Sequence, residues 1–244
     1  MKRRSFWYKL LRFFVNIFYK KRTFEGLDNI KDDPVIIVSN HARTNGPLVA
    51  ELQFPLKRLT WCTGNVLTKK EFIEHAKTDF WGKKPKYIKW LFNIFAHIIA
   101  PIGSSVFNSA DIIGVYKDAR LRNTFKQTVN ALIEGYNIII FPECEEEYNN
   151  IVNQFQDKYI DVAVLYYRKT GKCLEFVPMY NAVKLKKVIL GKGIKYDPNI
   201  PIEEQRKIIN DYLTEKITNL AVELPKHKVV NYSNQKGHKN SMSK

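Results

Sequence analysis

The stretch Pro34-Val-Ile-Ile-Val-Ser-Asn-His-Ala-Arg-Thr-Asn-Gly-Pro-Leu-Val-Ala-Glu51 decides how the chain is read. Val35 to Val38 is a run of branched apolar residues, the pattern of a buried strand, and Pro34 fixes its start. The run passes directly into Ser39-Asn40-His41. Gly46-Pro47 then breaks the chain, and Leu48-Val49-Ala50-Glu51-Leu52 opens a helix, with Pro47 suited to its first turn. His41 therefore falls where a strand ends and a helix is about to begin, the place where open α/β sheets bind ligands.

The totals narrow the classes around that stretch. A chain of 244 residues, 45% hydrophobic, is long enough for one sizeable core with appendages. A net charge of +16 argues for an anionic partner: nucleic acid, an anionic membrane surface or a phosphorylated substrate. Cys62, Cys144 and Cys173 lie far apart, which is neither a disulfide framework nor a zinc site and suits a reducing compartment. The five histidines are scattered, so no metal is expected. Neither glycine-rich phosphate-binding motif, GxGxxG or GxxxxGK[ST], is present.

Residues 1–22, MKRRSFWYKLLRFFVNIFYKKR, combine basic ends with an aromatic middle. Lys9, Arg12 and Asn16 interrupt the apolar run, which rules out a spanning helix and favours one lying in a membrane interface. Thr23 to Asp33 reads as a polar connector. Arg58 to Cys62 reads as a strand, and Thr68 to Lys77 as a helix opened by a Thr68/Glu71 capping box. From Trp81, lysines interleave with Tyr87 and Trp90 and lead into an apolar run that Pro101 is expected to end. That pattern suits an interfacial or re-entrant element or a buried helix, and ranks nucleic acid lower as a partner. Further strands are expected at Ile112–Tyr116, Asn137–Phe141, Leu174–Val183 and Lys186–Tyr196. Helices are expected at Arg122–Glu134, Val152–Lys169 and Pro201–Leu224. Residues 23–225 then form one α/β domain, between the 1–22 helix and a polar tail at 226–244.

Four segments recur in order: Asn40-His41, a basic cluster around Lys117 and Arg120, Phe141-Pro142-Glu143, and Phe176-Val177-Pro178 followed by Leu190-Gly191-Lys192-Gly193-Ile194. Their succession resembles the glycerolipid acyltransferases, the family that includes the 1-acylglycerol-3-phosphate acyltransferases. The resemblance implies an α/β fold with a central mixed, mostly parallel sheet flanked by helices and an N-terminal amphipathic helix. It implies transfer of a fatty acyl group from acyl-CoA or acyl-carrier protein to a lysophospholipid, on the cytoplasmic face of a membrane, without a cofactor. His41 would be the general base, a role suited to imidazole. Asn40, Lys117, Arg120 and Glu143 would hold the acceptor, the arginine through its two-pronged grip on phosphate.

Two positions depart from the family pattern. The family has an aspartate five positions after its histidine, where this chain has Gly46; with a loop one residue shorter, Asn45 takes the place. In a serine-protease triad, changing the equivalent carboxylate to its amide drops turnover about ten-thousandfold. After Glu143 the family continues Gly-Thr-Arg, and this chain has Cys144-Glu145-Glu146. Three explanations stay open: a carboxylate from Glu51, Asp118 or Glu145, a different acceptor, or a lipid-binding relative without catalysis.

Overall fold

The computed structural model describes residues 4–77 and 86–232, the side chains of residues 86–89, 92 and 93 excepted. In chain order the elements are α1 (Phe6–Phe18), β1 (Thr23–Glu25), β2 (Ile36–Ser39), α2 (Asn45–Leu52), β3 (Arg58–Thr63), α3 (Lys69–His75), α4 (Lys86–Ser109), β4 (Ile112–Val115) and α5 (Leu121–Ile133). There follow β5 (Asn137–Ile140), β6 (Glu143–Glu147), β7 (Asn153–Phe155), α6 (Asp161–Thr170), β8 (Glu175–Ala182), β9 (Lys187–Leu190), β10 (Ile194–Lys195) and α7 (Ile202–Val222). They form two compact units, Met1–Tyr19 with Trp61–Thr124 and Lys20–Thr60 with Phe125–Lys244.

The larger unit carries the sheet order β1-β9-β8-β2-β5-β3, with β10 added to β8. The β1–β9, β2–β8, β2–β5 and β3–β5 pairs are parallel, and β8 meets β9 and β10 antiparallel. A parallel strand covered on both faces reads as unbroken apolar sequence. Ile36, Ile37 and Val38 of β2 and Ile138, Ile139 and Ile140 of β5 are all buried accordingly. Each such side chain contributes about 1.5–3 kcal/mol relative to exposure. Helix α7 packs on β8 and buries Ile209, Leu213, Ile217 and Ala221, one residue per helical turn.

The smaller unit holds α1, α3, α4 and β4, which pairs with the end of β3. Its core gathers Val66, Phe72, Ala76, Ala96 and Ala100. Ser5 caps α1 by accepting from the Tyr8 N–H, and its own N–H donates to Ser109 Oγ at 3.0 Å. Of α1 only Tyr8 is buried; Phe6, Trp7, Leu10, Leu11, Phe13, Phe14, Ile17 and Phe18 are exposed. On α4, which α1 contacts, Trp90, Leu91, Ile94, Phe95 and Ile98 are also exposed. No helix among the described residues is long and apolar enough to cross a membrane.

Several elements differ from the sequence expectation. Pro101 does not end the apolar segment but lies inside α4, because packing of Ala96 and Ala100 outweighs the lost backbone bond. Thr23–Asp33 contains β1, which adds to β9 in parallel register from far along the chain. Val152–Lys169 is not one helix: β7 pairs with β6 as a separate hairpin, and α6 starts only at Asp161. Lys186–Tyr196 breaks into β9 and β10 around Gly191 to Gly193. The interleaved lysines and aromatics from Trp81 to Lys89 fall outside the described side chains.

Candidate active site

β2 lies between β5 and β8, and the three strands run in one direction. Val38 pairs with Ile140 and Ser39 with Met179, so Asn40-His41 and Phe141-Pro142-Glu143 leave the sheet at the same edge. Asn40 is 2% exposed. Its Oδ1 accepts from the Asn181 N–H at 2.7 Å, and its Nδ2 donates to the Asn181 carbonyl at 3.4 Å. Asn40 therefore acts in this site by tying the end of β2 to β8.

Glu143 is 5% exposed, and its carboxylate accepts two backbone N–H groups: His41 at 2.5 Å and Asn153 at 3.0 Å. It grips the backbone of His41, not its ring, and it fixes the β6–β7 hairpin to the same point. Burial pushes its pKa up to about 7, against the opposing pull of the two N–H bonds. A carboxyl whose folded pKa lies above its ordinary 4.5 keeps its proton longer in the folded state, so folding stability falls as pH rises from about 4.5 to about 7. The full cost is about 3 kcal/mol above that range. Glu143→Gln removes the titration. Denaturant unfolding should show the parent losing about 3 kcal/mol relative to the variant between about pH 4.5 and about pH 8. A stability difference that does not change with pH would show that the carboxylate is not buried in this way.

The loop after His41 is unusual. Ala42 and Arg43 both have positive φ, 46° and 58°, which L-residues adopt at a cost of about 1–2 kcal/mol each. This turn brings the Arg43 carbonyl back onto the imidazole, and His41 Nδ1–H donates to it. A carbonyl only accepts, so the proton sits on Nδ1 and Nε2 keeps its lone pair. Burial lowers the His41 pKa below 6.5, with the Arg43 carbonyl opposing. Phe141 and Tyr232 stand edge-on to the ring, each with centroids 5.3 Å away.

The position of the family aspartate has no room for a side chain. A Cβ at Gly46 would meet the His41 carbonyl and a Phe141 ring carbon at 2.7 Å and the Asn40 carbonyl at 3.0 Å. Asn45, expected as a catalytic stand-in, donates its Nδ2 to the Ala42 carbonyl at 3.1 Å and so braces the loop. Of the other candidate carboxylates, Glu51 pairs with Arg58 at 3.1 Å and Asp118 with Arg120 at 2.8 Å, while Glu145 is exposed on β6.

Lys117 and Arg120 belong to the smaller unit, in the turn after β4, and are exposed there. The Arg120 guanidinium bonds Asp118 through Nε and a terminal nitrogen, bonds Glu71 at 2.6 Å, and lies 3.9 Å over the Tyr116 ring. Two carboxylates thus outweigh its single charge. Among the described residues no cluster is arranged to hold a metal ion.

The helix-flanked, mostly parallel sheet thus carries Asn40-His41 at the tip of β2 and Phe141-Pro142-Glu143 at the tip of the neighbouring β5. Among solved structures the chain is similar to the 1-acyl-sn-glycerophosphate (LPA) acyltransferase PlsC from Thermotoga maritima, with a TM-score of 0.50 and 17% identity over 90% of this chain and 81% of that one. At that identity the likeness is one of fold. No protein-family model and no curated protein matches the chain.

Proposed function

We propose that the protein is an acyltransferase that moves a fatty acyl group from a thioester donor, acyl-CoA or acyl-carrier protein, to the hydroxyl of a lysophospholipid. The observation that carries this reading is the His41 imidazole at the tip of β2, its Nδ1–H bonded to the Arg43 carbonyl and its Nε2 left as acceptor. Nε2 takes the proton from the acceptor hydroxyl as the oxygen attacks the thioester carbonyl. The tetrahedral intermediate collapses, the C–S bond breaks, and the departing thiolate takes the proton back from the imidazolium. The Arg43 carbonyl supplies the orienting half of the missing aspartate's work, but as a neutral dipole it stabilises the imidazolium less than a carboxylate does.

The exposed apolar residues of α1 and α4, with Lys9 and Arg12 on α1 and Lys20 and Lys21 just beyond it, support a peripheral or monotopic place on an anionic membrane surface. The unpaired cysteines fit its cytoplasmic face. A second reading of the acceptor has its own support. Glu145, Glu146 and Glu147 follow Glu143 on β6, which favours an acceptor without a phosphate monoester.

The test is transfer of labelled acyl groups from either donor to a panel of lyso-lipids presented in anionic vesicles. Sedimentation with the vesicles and turnover should both be seen, and both should weaken as salt rises. Vesicle binding without turnover on any acceptor would leave a lipid-binding protein and sink the enzyme reading.

A further inference from the structure

The polar tail expected from Lys226 onward does not simply leave the domain after α7. His227 is buried: its Nδ1–H donates to the Pro225 carbonyl and its Nε2 accepts from the Tyr180 hydroxyl, both at 2.9 Å. Tyr180 sits on β8 one residue after Met179, the partner of Ser39, and so at the level of Asn40. Val229 is buried two residues beyond His227. The chain then sets the Tyr232 ring nearly perpendicular to the imidazole, at 84°, while Phe141 meets it at 62°.

We infer that Tyr232 is a positioning residue: with Phe141 it clamps the His41 ring in the orientation that a carboxylate would otherwise enforce, and residues 226–232 are the strap that delivers it. The need for such a clamp follows from the loop. A single hydrogen bond to a neutral carbonyl leaves the ring freer to turn than an ion pair does, and two edge-on aromatic rings restrict that rotation. The same ring keeps water from the imidazole, in line with the lowered pKa of His41. Among the described residues, the ionisable groups shown in contact with His41 are Glu143 from β6, bonded to its backbone, and Tyr232.

The kinetic half of this inference rests on the acyl-transfer reading; the titration half rests on geometry alone. The test compares Tyr232→Ala and Tyr232→Phe in the full chain. Imidazole nitrogen NMR should show the His41 pKa of the alanine variant rising toward 6.5 and its single Nδ1–H tautomer giving way to a mixture. In turnover, kcat should fall about tenfold with KM within about twofold, since the clamp acts on the proton transfer and not on substrate binding. The phenylalanine variant should restore both readouts. An alanine variant whose His41 titrates as in the parent, with the same tautomer, would falsify the clamp, and so would an unchanged kcat. If the parent itself turns over no acyl donor, the titration still decides for or against the clamp, so the two failures are distinguishable.

Discussion

Replacing His41 with alanine is expected to lower acyl transfer by about a thousandfold, the mid-range effect of deleting a general base. The melting midpoint should stay within about 4 °C, roughly the shift that 1 kcal/mol produces in a chain of this size. Both halves follow from the same geometry. The ring's contacts are local, to the Arg43 carbonyl and to the Phe141 and Tyr232 rings, while the core of the unit is built from β2, β5, β8 and α7 beneath it. In the proposed mechanism the chemistry depends on Nε2, and His227, bonded at both nitrogens, does not replace it. The pH profile adds a sign. In the proposed mechanism the neutral ring is the active form, and its pKa is depressed below 6.5, so in the parent the rate should rise with pH and pass its half-maximum below that value. Steady-state rates and thermal unfolding of the two proteins check the expectation. An alanine variant as fast as the parent removes His41 from the mechanism.

What the sequence made legible was local, and what it concealed depended on distant pairing. Val35 to Val38 and Asn137 to Phe141 announced β2 and β5 because strands buried on both faces are apolar at every position. The Thr68/Glu71 capping box was readable because its partners are three residues apart, and Thr68 does accept from the Glu71 N–H. The β6 strand was hidden because four of its five residues are glutamates, and only Glu143 is buried. Its reason for being a strand lies ten residues on, where Asn153 donates to Glu143. Three-residue β1 has no periodicity to read and exists only as the partner of β9. The active loop shows the same division. His41 stood out by its place after a strand, whereas its hydrogen-bond partner could not be found by searching for carboxylates. The acceptor is a main-chain carbonyl, which any residue at position 43 supplies, and the signal for it was the gap itself: a glycine where an aspartate is expected.

That gap leads to the second large effect. Gly46→Asp restores the family spacing on paper, yet it should destabilise the protein by about 3 kcal/mol or more and fail to raise activity. A β-carbon there collides with the His41 and Asn40 carbonyls and with Phe141. Two of those obstacles are backbone at the end of the central strand, held by Glu143 and by the reciprocal Asn40–Asn181 bonds, so they have little freedom to move. The Gly46 N–H also donates to the His41 carbonyl at 3.0 Å, a contact that the displaced loop would lose. Its loss would unseat the Arg43 carbonyl from the imidazole as well. Gly46→Ala separates the causes, because it adds the β-carbon without the charge and should account for most of the loss. In thermal unfolding 3 kcal/mol corresponds to a drop of about 6–12 °C. Activity measured well below the lowered midpoint then reports on the site rather than on unfolding. An aspartate variant as stable as the parent and faster than it would mean that the loop admits a carboxylate, and that the backbone carbonyl is not what orients the ring.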